Sequence, residues 1–491
     1  MTAQTAEGPL AGTGAGRVLA PIGTVASWIA LALIVLMPVA MFLVDSPITV
    51  GFLVITMMVA MILMGVPVAA ALAVPSLFGV GAIASPAALF NVASAVPGEA
   101  VSNWGLSVLP MFIYMGMLLT YSGITRDIYH AADVWFRWLP GGIGIGTNVA
   151  GAGLAAVSGS SIGMTYTLGR SGIPEMLKAG YDKRLAIGTV IVAGLPGALI
   201  PPSILLLLYA GIASTDVGPQ LMAGVLPGIL VAVTFAVVIF LVGLVAPRMV
   251  GRGRGEPVVK ATWGERFGAL LRVWPLPVIM VIIIGGMFSG LLTPTEAGAA
   301  AALLSLLLCL WRTRKDKPLA VLGRASAATV AATGSVMFLI IGADFLTRIL
   351  QLTGISALIA RTIVDWGLGP VQFLAVMFVV YLIMGMFFDT LSMMLLTVPV
   401  LLPALTALGV DPIWFGVFVV LMGEIGMVTP PLGVITFVLH KIVQDPKVNL
   451  GQTMTLRDVF VPVLWFLPVV VLILAIMALF PQIALWLPSL M

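Results

Sequence analysis

Charge is scarce in this chain. Only 9% of its 491 residues are Asp, Glu, Lys or Arg, where a soluble domain carries about 25%. With 61% hydrophobic residues and a mean hydropathy of +1.18, a water-soluble globule is excluded. Cysteine is almost absent. Cys309 stands alone in an apolar run, so no intrachain disulfide forms and the thiol reads as a small packing residue. The two histidines, His130 and His440, lie far apart beside span ends and read as interfacial residues rather than metal ligands. There is no Cys/His cluster, no H-E-x-x-H, no G-x-S-x-G and no Walker motif, and no paired catalytic aspartates are evident. These absences argue against an intramembrane enzyme and against ATP as the energy source within the chain. Gly141 to Thr147 is glycine-rich, but it holds no G-x-G-x-x-G register and follows no strand. The net charge of +4 is no nucleic-acid signature, because the basic residues are spread over short loops.

What remains is apolar sequence with breaks. The hydrophobic runs recur along nearly the whole chain and reach the roughly 20 residues that cross a bilayer. The 54 glycines and 33 prolines fit membrane helices, where neighbouring groups satisfy the freed backbone. The expected fold is an all-α polytopic membrane protein. Full spans are expected near 27–44, 50–66, 68–84, 107–122, 184–212, 220–246, 275–291, 296–311, 326–347, 412–440 and 460–482. Two further apolar pairs, 141–168 and 370–403, are too short or too broken for two crossings and read as re-entrant hairpins. Residues 1–26, with Arg17, read as a cytoplasmic tail leading into a retained helix rather than a cleaved signal. The segment 85–106 reads as one of the longest external loops, and Tyr129 to Trp138 as an amphipathic interfacial helix.

Basic residues orient the spans. With the N-terminus in the cytoplasm, all of the 23 Lys and Arg except Arg348 and Arg361 fall inside, as the positive-inside rule favours. The same orientation brings the first hairpin in from the cytoplasm and the second from outside.

A gapless echo links the two hairpins. Ile173-Pro174 through Gly180-Tyr181-Asp182 reads against Leu402-Pro403 through Gly409-Val410-Asp411, an offset of 229 positions. The same offset pairs Gly194 with Gly423, Gly197 with Gly426, and Pro201-Pro202 with Pro430-Pro431. Gly, Pro and Asp holding one register signify duplication, and the opposed orientations make it an inverted-topology repeat. Repeat 1 spans 107–246 with hairpin 141–168, and repeat 2 spans 326–482 with hairpin 370–403. The helix at 27–44, the scaffold helices at 50–84 and the central scaffold helices at 275–311 lie outside them. Paired, interrupted apolar segments in corresponding halves point to a transporter's binding site.

Oxygen-bearing residues cluster at those interruptions. The first tip carries Ser158, Ser160, Ser161 and Thr165. The second carries Asp389, Thr390 and Ser392, with Asp389 in the register of Ser160. The breaks, Ala193 to Ser203 and Met422 to Pro431, bring Gly194, Gly197, Pro201 and Pro202, and Gly423, Glu424, Gly426, Thr429, Pro430 and Pro431. Hydroxyls and freed carbonyls suit a dehydrated cation, and half-helix N-termini suit an anion. The competing readings are packing through small residues and, for Asp389, capping of the second hairpin helix. An ionisable group within a span is a candidate functional residue. For Glu424, which faces only Leu195 in the other repeat, and for Asp344, structural pairing and ion coupling both stay open.

Together these residues resemble a known family. Ser158-Gly159-Ser160-Ser161 followed by Ile173-Pro174-Glu175-Met176 is similar to the first-hairpin signature of the large membrane subunit (DctM-type permease) of TRAP transporters, the tripartite ATP-independent periplasmic systems. Leu199-Ile200-Pro201-Pro202-Ser203 resembles its first helix break, and Ser289 to Ala297 its central T-P-T-E-A motif. Gly385 to Asp389 and Gly426 to Gly433 resemble the second hairpin and break. The resemblance covers about residues 50 to 482. It implies an elevator-type secondary transporter of the ion-transporter superfamily in a bacterial inner membrane, and the orientation set by the basic residues makes the C-terminus periplasmic. It implies import of a small organic acid such as a dicarboxylate, with sodium as coupling ion and no other cofactor. The implied partners are a small four-helix membrane subunit and a periplasmic substrate-binding protein. On that basis the two breaks are expected to form two sodium sites. The span at 27–44 precedes the family's usual first helix, and the small subunit is expected as a separate chain. A stand-alone ion-coupled symporter or antiporter of the same superfamily is the alternative.

The charge partition generates a direct test. Cysteine reporters in 171–183 should be labelled only from the cytoplasm, and reporters in 354–366 only from outside. Labelling of both segments from one side contradicts the inverted repeat.

Overall fold

Apolar sequence in lipid must satisfy its own backbone, which leaves helices as the local solution for this composition. The computed structural model describes residues 25–251, 261–315, 317–431 and 433–491, with the side chains of residues 25–27, 157 and 158 excepted. Most of the expected tail, Arg17, Arg252, Arg254, Lys260 and the Ser158 side chain therefore lie outside the described residues. Among the described residues the regular structure is helical, joined by turns and short irregular segments, with an isolated bridge between Tyr181 and Val250. Six helices are long and apolar enough to cross a membrane, and a pair bent by 47°, Trp263–Val273 with Pro275–Phe288, makes a possible seventh. Seven shorter apolar helices of 10–17 residues complete the set. Several expected full spans are thus shorter pieces, because serine caps and Gly/Pro breaks end them early.

The chain divides into two compact units. One joins the residues up to Trp104 with Val330–Leu368 and Leu395–Gly409. The other joins Gly105–Thr329, Gly369–Met394 and Val410–Met491.

The first unit contains Val25–Leu43, Pro47–Leu63, Val68–Ile83 and Pro86–Ser102. Two of these start on the same device, a serine cap followed by proline. Ser46 accepts from the Thr49 amide at 3.4 Å and Ser85 from the Ala88 amide at 3.1 Å, with Pro47 and Pro86 needing no amide partner. The expected external loop at 85–106 is therefore mostly helix. Small residues set the packing, since a Cβ on Gly79 would meet Val54 and Ile349 at 2.7 and 3.0 Å. The expected span 326–347 belongs to one helix, Pro318–Thr353, of 36 residues. At 1.5 Å per residue it is about 54 Å long, well beyond a bilayer's hydrocarbon core. The segment 354–366 is also helical, as Ile355–Asp365.

The second unit holds most of the elements that the echo marks, Leu402 to Gly409 of the second copy lying in the first unit. The first hairpin consists of Gly142–Ser158 and Ser161–Lys178. The second consists of Pro370–Gly385 and Thr390–Ala407, of which residues to Met394 belong to this unit. Both outgoing arms run beyond the expected ends at 168 and 403. Pro174 and Pro403, equivalent in the repeat, sit inside the helices without stopping them.

The repeat is visible at the level of single hydrogen bonds. Gly180 and Gly409 take positive φ of 80° and 68°, the left-handed turn that glycine adopts without penalty. Asp182 then accepts from the Arg184 and Leu185 amides at 2.8 and 3.3 Å. Asp411 accepts from Ile413 and Trp414 at 2.7 and 3.2 Å. Both aspartates cap the next helix, Lys183–Val192 and Pro412–Val428. The amphipathic helix Ile124–Phe136 covers most of the stretch expected at the interface, with Ile128, Ala131, Ala132 and Val134 buried.

The T-P-T-E-A stretch has a structural role. Thr293 and Glu296 form a capping box, with the Thr293 amide donating to Glu296 Oε2 at 2.8 Å and the Glu296 amide to Thr293 Oγ1 at 3.3 Å. Thr295 Oγ1 lies 3.1 Å from Ser107 Oγ, joining this helix start to the helix Val108–Tyr121.

Candidate functional site

Both hairpin tips and both breaks lie in the second unit. At the first tip Gly159 takes φ +61° and reverses the chain. Ser160, in extended backbone, accepts the Gly163 amide at 3.1 Å and starts the outgoing helix. Thr165 is fully buried and donates back to the Ser161 carbonyl at 2.8 Å, so its hydroxyl proton is already placed.

The first break begins where helix Lys183–Val192 ends. A single tight turn, Pro196–Ala198, follows, and Ser203 caps Ile204–Ala213 through the Leu206 amide at 3.1 Å. Tip and break touch. Ser160, Ser161, Gly197, Pro202 and Ser203 help line a cavity of about 10 Å³, room for about one water or one desolvated ion. Ser203 was not among the expected site residues, although a serine directly after Pro-Pro and before an apolar run is a cap signal.

The second tip is built in the same way with a charge added. Asp389 accepts the Ser392 amide at 3.2 Å and the Ser392 hydroxyl, so it caps as Ser160 does. The carboxylate is exposed and offers about four lone-pair positions, so capping leaves it acceptor capacity. Thr390 and Ser392 are buried.

The second break is shorter than expected. Helix Pro412–Val428 runs without interruption through Gly423, Glu424 and Gly426, and the irregular backbone is confined to the residues after Val428. The Gly426 carbonyl accepts the Thr429 amide at 3.0 Å, and Thr429 Oγ1 donates to the Ile425 carbonyl at 2.7 Å. Gly423 and Glu424 therefore lie inside the helix, and the Ile425 and Gly426 carbonyls are engaged by Thr429 rather than freed. The reason lies in the positions of proline: repeat 1 carries Pro196 in this stretch, where repeat 2 has Ile425. Both Pro-Pro bonds, 201–202 and 430–431, are cis.

The glycines of this helix serve close approach. A Cβ on Gly385 would stand 2.6 Å from Gly426 Cα, and one on Gly423 would stand 2.8 Å from Thr390 Oγ1. The second hairpin thus lies directly on the helix Pro412–Val428, just before the second break. Leu195 and Thr429 line one small apolar cavity, which brings the two breaks side by side.

Glu424 ties these parts together. Its side chain is 1% exposed. Oε1 accepts from Thr390 Oγ1 at 3.2 Å, and Ser161 at the other hairpin tip approaches the same carboxylate. Oε2 has no hydrogen-bond partner among the described residues. A buried carboxylate with an unsatisfied oxygen is costly unless something positive or a donor completes it. Asp344 belongs to the other unit, where Arg348, one turn on, and Glu99 are its charged neighbours and form an ion pair with each other.

The comparisons with known proteins agree with this architecture. The family model described as "Tripartite ATP-independent periplasmic transporter, DctM component" matches residues 55–483. The chain belongs to the DctM family of TRAP large permeases. It is 30% identical to the C4-dicarboxylate TRAP large permease DctM of Vibrio cholerae, over 89% of this chain and 96% of that one. It is also 30% identical to the ectoine TRAP large permease TeaC of Halomonas elongata, covering 88% and 97%. The sialic acid permease SiaM of Vibrio cholerae is 30% identical, covering 79% and 87%. In fold, this DctM-family chain resembles the crystal structure of the Alcanivorax borkumensis YdaH transporter with a TM-score of 0.55 at 13% identity, covering 83% and 89% of the two chains. It is a multi-pass membrane permease and not an enzyme.

The contact between Gly385 and Gly426 generates a test. Gly426→Ala should insert and express near wild-type level but lose at least about tenfold in uptake, since overpacking costs about 1–3 kcal/mol at this contact. Unchanged uptake in reconstituted vesicles contradicts a functional role for the close approach.

Proposed function

We propose that this permease imports a small organic acid by sodium co-transport, receiving it from a periplasmic binding protein and working with a small four-helix membrane subunit. The observation that carries this reading is the convergence on Glu424 of both hairpin tips and the second break. Hydroxyls of Ser161 and Thr390 approach one buried carboxylate whose Oε2 lacks a partner. A hard, oxygen-preferring cation completes such a set, and sodium is the coupling ion the sequence resemblance implies. Ser160, Ser161 and the first break would hold one cation. Asp389, Thr390 and the second break would hold another. Cation charge at the tips would then favour a carboxylate substrate beside the hairpin-helix N-termini.

The family supports the two partners, because a TRAP system includes a small subunit and a periplasmic binding protein. The relatives carry different solutes in their names, so the particular acid is a matter for the binding protein in this reading. The opposed orientation of the repeats, and an elevator movement of the second unit carrying the tips, belong to the same proposal. The charge distribution supports a cytoplasmic N-terminus and a periplasmic C-terminus.

One reconstitution tests the core of it. Proteoliposomes holding this chain and its small subunit should take up substrate only with an inward sodium gradient and the binding protein present. Asp389→Ala should raise the sodium concentration for half-maximal uptake at least about tenfold, as expected for loss of a charged ligand worth 1.4 kcal/mol or more. Unchanged sodium dependence in Asp389→Ala would reduce this residue to a helix cap. Full-rate uptake of free substrate without the binding protein would favour a stand-alone transporter.

A further inference from the structure

The second unit contains a basic pocket that the transport reading does not use. A cavity of about 500 Å³ is lined by Arg272, Arg312, Arg314 and Lys315 together with Asp127, Trp274 and Trp311. Asp127 is the only carboxylate among these lining residues, and it is ion-paired with Arg312. Arg272, Arg314 and Lys315 have no ion-pair partner among the described residues, and Arg314 lies over the Trp311 ring at 5.7 Å. The pocket therefore holds an excess of positive charge.

Its location is at span ends. Arg312 closes the helix Pro294–Arg312, and Trp274 sits at the 47° bend from which Pro275–Phe288 departs. Those two spans are joined by the short turn 289–293, so the Arg312 and Pro275 ends share one side of the membrane. Beside the cations the surface is apolar and open, with Leu271 72%, Trp311 58% and Trp274 45% exposed. The helix Trp263–Val273 continues this surface, exposing Trp263, Phe267 and Leu271 at four-residue intervals. A helix with an apolar stripe and basic residues lies in the plane of the interface, and tryptophan favours headgroup depth.

Cations lining a pocket, rimmed by apolar groups at the level of lipid headgroups, fit an amphiphile with an anionic head. We propose that this pocket binds the phosphate headgroup of an anionic phospholipid, whose acyl chains lie along the exposed Leu271 and Trp311 side. Basic pockets between membrane helices recognise such headgroups, and each Lys or Arg near an anionic surface contributes about 1 kcal/mol.

The test uses the purified full-length chain in neutral detergent. Phosphatidylglycerol and phosphatidylcholine of equal chain length are titrated, and bound lipid is counted by native mass spectrometry. The wild type should prefer phosphatidylglycerol, and Arg272→Gln, Arg314→Gln and Lys315→Gln should each weaken that lipid about fivefold. The charge-preserving variant Arg314→Lys with Lys315→Arg should bind like wild type, and so should Arg248→Gln, which removes a cation elsewhere. Millimolar inorganic phosphate should not displace the lipid. Equal binding of the two lipids, full binding in the neutralised variants, or displacement by phosphate alone would overturn the proposal. So would neutralised variants that keep the lipid but no longer co-purify with a co-expressed small membrane subunit, because the pocket would then be a protein interface.

Discussion

A carboxylate buried among membrane helices must be completed by donors or by a cation, and the arrangement of the second unit follows from that requirement. Glu424 can reach Thr390 only because Gly423 lets the second hairpin tip lie against its helix, and the contact of Gly385 with Gly426 holds that tip close. It can meet Ser161 only because the first tip packs on the first break, itself seated next to the second at Leu195 and Thr429. Small residues, caps and breaks are usually interpreted as packing devices. Here each of them also brings an oxygen within reach of one charge.

The repeat is symmetric in its scaffolding and asymmetric in its chemistry. Asp182 and Asp411 make the same pair of capping bonds at the same register, and Ser160 and Asp389 both cap an outgoing hairpin arm. The differences fall on charge and on proline. Repeat 2 has Asp389 and Glu424 where repeat 1 has Ser160 and Leu195, and repeat 1 has Pro196 where repeat 2 has Ile425. One break is consequently an extended irregular segment that lines a cavity. The other is a helix whose buried carboxylate faces its partners from within a regular element. Two cation sites built on such different backbones would not be equal in affinity.

Much of this was legible before any coordinates. Residues that force the backbone, Gly180 and Gly409 or the Pro-Pro pairs, keep their meaning whatever they pack against, so the paired helices and the first break stand where the echo put them, while the second break is confined to the residues after Val428. The central T-P-T-E-A stretch was a family mark in the sequence, and the capping box gives it a physical reason. Extent was less legible. Pro174 and Pro403 are tolerated inside helices, the 85–106 segment folds as a helix from its Ser-Pro start, and Pro318–Thr353 continues past the bilayer thickness because polar ends carry no stop signal. The partnership of Glu424 with Ser161 and Thr390 joins residues of two repeats, and such a contact depends on tertiary packing that no local pattern encodes.

The central claim is that Glu424, buried where the two hairpin tips meet, completes the cation sites that they would form. Thermal unfolding of the purified chain with increasing sodium, against potassium at equal ionic strength, tests it most directly. Sodium should raise the midpoint of the wild type selectively. Glu424→Gln should keep a cooperative transition and lose the sodium-specific shift. An undiminished sodium shift in Glu424→Gln would contradict the account.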